Sequence, residues 1–220
     1  MSEALALFET TPASVPMPHN ISPPSVHAAL PLEMRDDVTN DELEKMSLDY
    51  PAELYNGRVE YKMANLAHGV IQATIATTLN EYLRNNRLGY AVMEVNFRLW
   101  PERNKESRIP DIAFVKKERM PKNWLRFPAI APDLAVEIAS PEDKLSKVMK
   151  KVEAYLAQGT QIVWLVLVEN REVLVCTSQG KQSERNVLTA PELLPGFELR
   201  VSEIFADLPG DVEEQEAESH

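Results

Sequence analysis

The sequence predicts one α/β domain in which a mixed β-sheet carries helices on its faces. Three observations lead to that expectation. Ile71, Ile75, Leu79, Tyr82 and Leu83 recur at three- and four-residue spacing, which marks a long amphipathic helix over 67–87. Two compact apolar runs, 134–139 and 162–168, read as strands covered on both faces, and the helical segment 143–158 between them makes a right-handed parallel crossover. Asn56-Gly57, two residues that tolerate positive φ, suits the two-residue turn of a hairpin.

The elements follow in order. Residues 1–37 are rich in Pro, Ser and Ala without a sustained period and read as a flexible N-terminal arm. Thr39 to Glu42 matches a capping box and opens a short helix that ends before Pro51. The hairpin spans 53–63, and the long helix closes near Gly89. Strands are expected at 90–100 and 109–116, separated by the polar loop 101–107. Residues 117–131 form a loop that holds Trp124 and Phe127, and the helix 143–158 stops at Gly159. A last hairpin pairs 172–177 with 182–188 across Gln179-Gly180. The folded domain is thus placed at 38–206, with an acidic tail over 207–220.

Composition narrows the class. Of 220 residues, 44% are hydrophobic, enough to fill one core. The lone Cys176 lies in an apolar run and reads as a small core residue; no Cys/His cluster has zinc spacing. The first twenty residues lack the basic and long apolar regions of a secretory signal, and the apolar run 162–168 is too short to span a bilayer. A soluble, cytoplasmic protein is expected. The net charge is −11, but residues 1–38 carry −4 and residues 207–220 carry −6, which leaves −1 for the core. A uniformly basic nucleic-acid-binding face is therefore not expected from charge alone.

Chemistry concentrates at three places. Pro110-Asp111 opens a strand, Glu137 lies inside the next one, and lysines populate the helix that follows. Two carboxylates on adjacent strands can share Mg²⁺, a hard cation that takes oxygen ligands and keeps waters. Such an ion lowers the pKa of a bound water and neutralises charge on a phosphate. Glu137 is the most informative residue, because its strand is otherwise apolar from Leu134 to Ala139. An unpartnered carboxylate there would cost several kcal/mol, so it serves either as a metal ligand or as a member of a structural ion pair. Asp133 is a decoy: four residues before Glu137 on one strand, it stands about 13 Å away. Asp111, on a different strand, can be brought alongside. On the helix, Lys150 and Lys147 point away from the apolar stripe, whereas Lys144 and Lys151 flank it. His68, on the apolar side of the long helix near its start, is a core, capping or catalytic group. Glu53 is an outer-shell metal partner or a surface carboxylate.

The chain resembles the Uma-two family of putative restriction endonucleases, within the PD-(D/E)XK nuclease superfamily. The resemblance runs through Glu53-Leu54-Tyr55-Asn56-Gly57 and His68, Arg108 to Val115, Pro132 to Pro141, Lys151 to Gly159, Val163 to Val166 and Leu194 to Leu199. It covers about residues 39–206 and implies a restriction-endonuclease-like core with Asp111 and Glu137 as metal ligands. It departs from the simplest motif in one place: the position two residues after Glu137, usually Lys, is Ala139. The family resembles superfamily members whose Lys has moved to the next helix. Lys151, four residues before the aromatic Tyr155, fits that Lys, so the expected catalytic set is Asp111, Glu137 and Lys151. The secondary candidates are Glu53, His68 and Lys144. The expected function is Mg²⁺-dependent hydrolysis of DNA phosphodiesters, with Mn²⁺ as a substitute and a homodimer as the working form. The alternative is a catalytically inactive nuclease fold that serves as a binding or assembly module.

Overall fold

The computed structural model describes residues 30–209. Most of the Pro-rich segment and the acidic tail from residue 210 onward lie outside the described residues. The first strands form the expected hairpin: β1 (Ala52–Tyr55) pairs antiparallel with β2 (Arg58–Tyr61). Asn56 and Gly57 both have positive φ, 54° and 82°. Gly57 is also required sterically, since a Cβ there would lie 2.4 Å from the Asp36 carbonyl oxygen. Before the hairpin, α1 (Asn40–Leu43) is capped by the Thr39 side chain, which accepts from the Glu42 backbone N–H. The Glu42 carboxylate pairs with Arg35.

The centre is a six-stranded mixed sheet of order β3-β4-β5-β6-β7-β8. Its strands are β3 (Gly89–Met93), β4 (Ile112–Lys116), β5 (Leu134–Ala139), β6 (Ile162–Leu167), β7 (Glu172–Thr177) and β8 (Gly180–Glu184). β5 and β6 are parallel and joined through α3 (Leu145–Ala157), as the sequence predicts; the other neighbours are antiparallel. Alternation along β5 sorts the layers. Leu134, Val136 and Ile138 join the cluster built on α2 (Leu66–Asn86). That face is closed by β9 (Val187–Ala190), β10 (Leu194–Arg200) and α4 (Val201–Ile204), which contribute Leu188, Phe197, Leu199 and Ile204. Ala135 and Ala139 face the other way, with Val152 and Tyr155 of α3. Glu137 therefore points at α3, not at α2.

Three expectations change. The strand drawn over 90–100 stops at Met93, because Glu94 takes a left-handed conformation (φ 53°) and turns the chain out of the ladder. The last hairpin turns one residue early: Gly180 already pairs with Thr177, and 187–200 forms a separate two-stranded unit. The long helix closes on Arg87 in the left-handed region, with its N–H bonded to the Leu83 carbonyl. Gly89 serves packing instead; a Cβ there would meet the Val115 carbonyl at 2.1 Å. Cys176 is fully buried, as a core residue should be. No helix among the described residues is long and apolar enough to cross a membrane.

Candidate active site

The site forms where β4 begins. The Ile112–Val136 register puts Asp111 opposite Glu137, one step beyond the last ladder pair. Asp111 is held there by backbone bonds: its N–H donates to the Val136 carbonyl, and its Oδ2 accepts from the Ile138 N–H at 2.6 Å. Asp133 sits at the far end of β5 and is consumed structurally, by Arg119 at 2.7 Å and by the Lys116 N–H. The structure thus brings Asp111 and Glu137 together and keeps Asp133 apart.

A cavity of about 130 Å³ is lined by Glu53, Lys62, His68, Asp111, Glu137 and Lys151, so five of the six sequence-predicted residues converge. The exception is Lys144. It is the exposed N-cap residue of α3 and does not line the cavity. It shares a helical face with Lys151, but seven residues earlier is about 10 Å along the axis, too far to reach Glu137. Lys147, expected to face solvent, is exposed and pairs with Glu60 at the cavity mouth.

The ionic contacts form two groups around one backbone atom. In the first, Lys151 Nζ donates to Glu137 Oε2 at 2.9 Å and lies 3.3 Å from Glu53 Oε2. Tyr155 donates its hydroxyl to Glu137 Oε1, and Glu53 accepts from Tyr55 and from the Ile109 N–H. The β1–β2 hairpin delivers Glu53, and Arg108 locks its base by stacking 3.6 Å from the Tyr55 ring centroid. In the second group, Lys62 Nζ donates to Asp111 Oδ1 at 2.5 Å and lies 3.5 Å from Glu94 Oε2. Gln72 of α2 ties this group together by donating to Glu94 Oε1 and to the Asp111 carbonyl. His68 Nε2 approaches Asp111 Oδ1 at 3.3 Å. Its backbone N–H is capped by Asn65, so the imidazole is not the cap. Both ammonium groups donate to the same Ile109 carbonyl oxygen, each at 3.0 Å.

Burial and charge set the protonation states. Burial alone would raise the pKa of Asp111, but Lys62 and His68 hold it well below the usual carboxylate range. Burial wins at Glu137, whose pKa is pushed up to about 7 against the pull of Lys151. Lys151 itself is raised: burial opposes its charge, and Glu137, Glu53 and Asp111 more than offset that. The two shifts are compatible because one ammonium serves two carboxylates; Lys151 gains from both, while Glu137 also feels repulsion from Asp111 and Glu53. His68 is raised as well, since the Asp111 carboxylate outweighs burial.

The donor set fits a divalent cation. His68 Nε2 and Glu94 Oε2 are buried atoms without a hydrogen-bond partner, and His68, Glu94 and Asp111 offer ligand atoms within 4.8 Å of one another. Sequence reasoning missed Lys62 and Glu94. Lys62 follows a short polar strand with no apolar context to make it conspicuous. Glu94 falls where an unbroken strand was expected, and only its positive φ aims it at the site.

A six-stranded mixed sheet with helices on its faces is a nuclease-like fold, and the comparisons agree. The chain belongs to the Uma2 family: that family's model, described as "Putative restriction endonuclease", matches residues 40–202. A crystal structure of a putative nuclease belonging to DUF820, from Anabaena variabilis, matches with a TM-score of 0.65 at 26% identity, over 77% of this chain and 98% of that chain. No curated protein matches the chain.

Proposed function

We propose that the protein is a Mg²⁺-dependent DNA endonuclease with Asp111 and Glu137 as metal ligands and Lys151 as the catalytic ammonium. One observation carries the reading: Asp111 and Glu137 are register neighbours across β4 and β5, with Lys151 2.9 Å from Glu137. Membership in a family described as restriction endonucleases supports it. His68 and Glu94 extend the ligand set on the Asp111 side. When bound, the cation supplies charge neutralisation at the scissile phosphate and a water of lowered pKa. Lys151 stays charged and places a fixed positive group beside the reacting phosphate. Glu53 and Tyr155 hold the Lys151–Glu137 pair in place through contacts on both partners.

The test is cleavage of plasmid and linear duplex DNA with Mg²⁺ or Mn²⁺. Wild-type protein cuts; Glu137→Ala loses at least a hundredfold in rate, in line with removing a metal ligand. Full cleavage by Glu137→Ala would sink the assignment.

A second reading has its own support. Lys62 and Lys151 already pair with Asp111 and Glu137, so both proposed ligands have partners in the protein itself. That state suits an inactive nuclease fold used for binding or assembly. Calorimetry separates the two: absence of heat with Mg²⁺, Mn²⁺ and Ca²⁺ favours the binding module.

A further inference from the structure

A second feature lies along the outer side of α2. A cavity of about 370 Å³, where α2 ends against the start of β3, is lined by Arg84, Arg87 and Lys117 together with Asn80 and Tyr90. All three cations are exposed, and among the described residues none of them forms an ion pair. Three unpaired cations on one cavity are notable in a core whose net charge is −1. A neighbouring cavity of about 400 Å³ shares Asn80 and Arg84 with the first and runs back along α2 to Gln72 and Met93. Gln72 is the residue that bonds Glu94 and the Asp111 carbonyl, so the groove ends beside the candidate active site. Its floor is low, because Gly69, Ala73 and Thr77 carry small side chains.

Charge selects the ligand. The two cavities are lined by one carboxylate, Glu81, against three cations. The groove on the other side of the site, beside Trp124, is lined by Glu44, Asp49 and Glu94 against Arg126 alone. A polyanion leaving the site is repelled on the second path and attracted on the first. The span fits as well: twelve residues of α2 from Gln72 to Arg84 rise about 18 Å, which is about five nucleotide steps of a B-form strand. β3 is the edge strand of the sheet, so no further strand of the six-stranded sheet stands on its outer side.

We infer that Arg84, Arg87 and Lys117 form a phosphate clamp that grips the backbone of duplex DNA about five nucleotides from the scissile phosphate. The inference rests on the nuclease reading for its substrate but not on cleavage for its test. Binding of a labelled 30-base-pair duplex is measured by fluorescence anisotropy in EDTA over a range of salt. Three phosphate contacts predict that Arg84→Ala/Arg87→Ala/Lys117→Ala binds about tenfold or more weakly, with the slope of log Kd against log salt reduced by about 2 to 3. Lys181→Ala, an exposed position on the opposite edge strand β8, binds as wild type does. The charge reversal R84E/K117E, at exposed positions, gives a second variant whose fold is checked by circular dichroism; it weakens binding further. An unchanged Kd and salt slope in both variants overturns the clamp while leaving the nuclease reading intact, and so does wild-type binding of inorganic phosphate without binding of the duplex. Wild-type duplex binding with the predicted losses, but without cleavage in Mg²⁺ or Mn²⁺, upholds the clamp and overturns the nuclease reading.

Discussion

Lys151 and Lys62 donate to the same carbonyl oxygen, yet they stand in different surroundings. The Lys151 group is sealed: the side chains of Lys151, Glu137 and Glu53 are 8%, 5% and 5% exposed. The Lys62 group is more open: Lys62 and Glu94 are 17% and 29% exposed, around an Asp111 that is itself buried. The Lys151 group is the better screened from solvent, and the Lys62 group is the more open to an incoming ion. In the proposed nuclease, Lys151 is then the fixed charge and Lys62 the group that an incoming cation displaces.

Substitutions at the two lysines break or sharpen this contrast. The largest effect is expected for Lys151→Met, which strands two buried carboxylates and lowers stability by about 3–5 kcal/mol in urea denaturation. Adding Glu137→Gln restores part of that loss by removing one stranded charge. Lys62→Met lowers stability by less, about 1–3 kcal/mol, because it strands one buried carboxylate, Asp111, while Glu94 keeps access to water. The same change tightens Mn²⁺ binding in calorimetry by about tenfold, since an ammonium no longer competes for Asp111. If Lys62→Met weakens Mn²⁺ binding, the ammonium supports the ion and the contrast fails. The smallest effect concerns pH. Glu137 must lose a proton to ligate, and with its pKa at about 7 Mn²⁺ affinity falls about twofold from pH 8 to pH 7 and more steeply below. The sign follows from the raised value: the proton competes with the metal at low pH. His68, also raised, adds to the trend in the same direction.

Legibility tracked local contrast. Glu137 stood out because a charge in an apolar strand has few explanations, and Asp111 could be separated from Asp133 by strand geometry alone. Counting the helix face at 100° per residue leaves Lys144 and Lys151, and the family resemblance selects Lys151. Lys144 looked equivalent on that count and failed on distance along the axis, a quantity set by where α3 starts. Lys62 and Glu94 had no contrast with their neighbours. The hairpin β9–β10 was equally silent: its strands bury Leu188, Leu194, Phe197 and Leu199, but its pairing is interrupted between Leu194 and Leu199, and the strand period is lost with it.

The sequence by itself determined the order of elements as far as the β7–β8 hairpin, the parallel β5–β6 crossover, the Asn56-Gly57 hairpin and the acid pair, because each depends on local periodicity, turn chemistry or a charge in an apolar setting. Only the tertiary structure decided which cations meet those acids and which cations gather on one cavity beside α2. Those outcomes depend on residues far apart in the chain, Lys62 with Asp111 and Arg84 with Lys117, brought together by register and helix length. Electrostatic energy depends on distance and burial, and no local pattern encodes either.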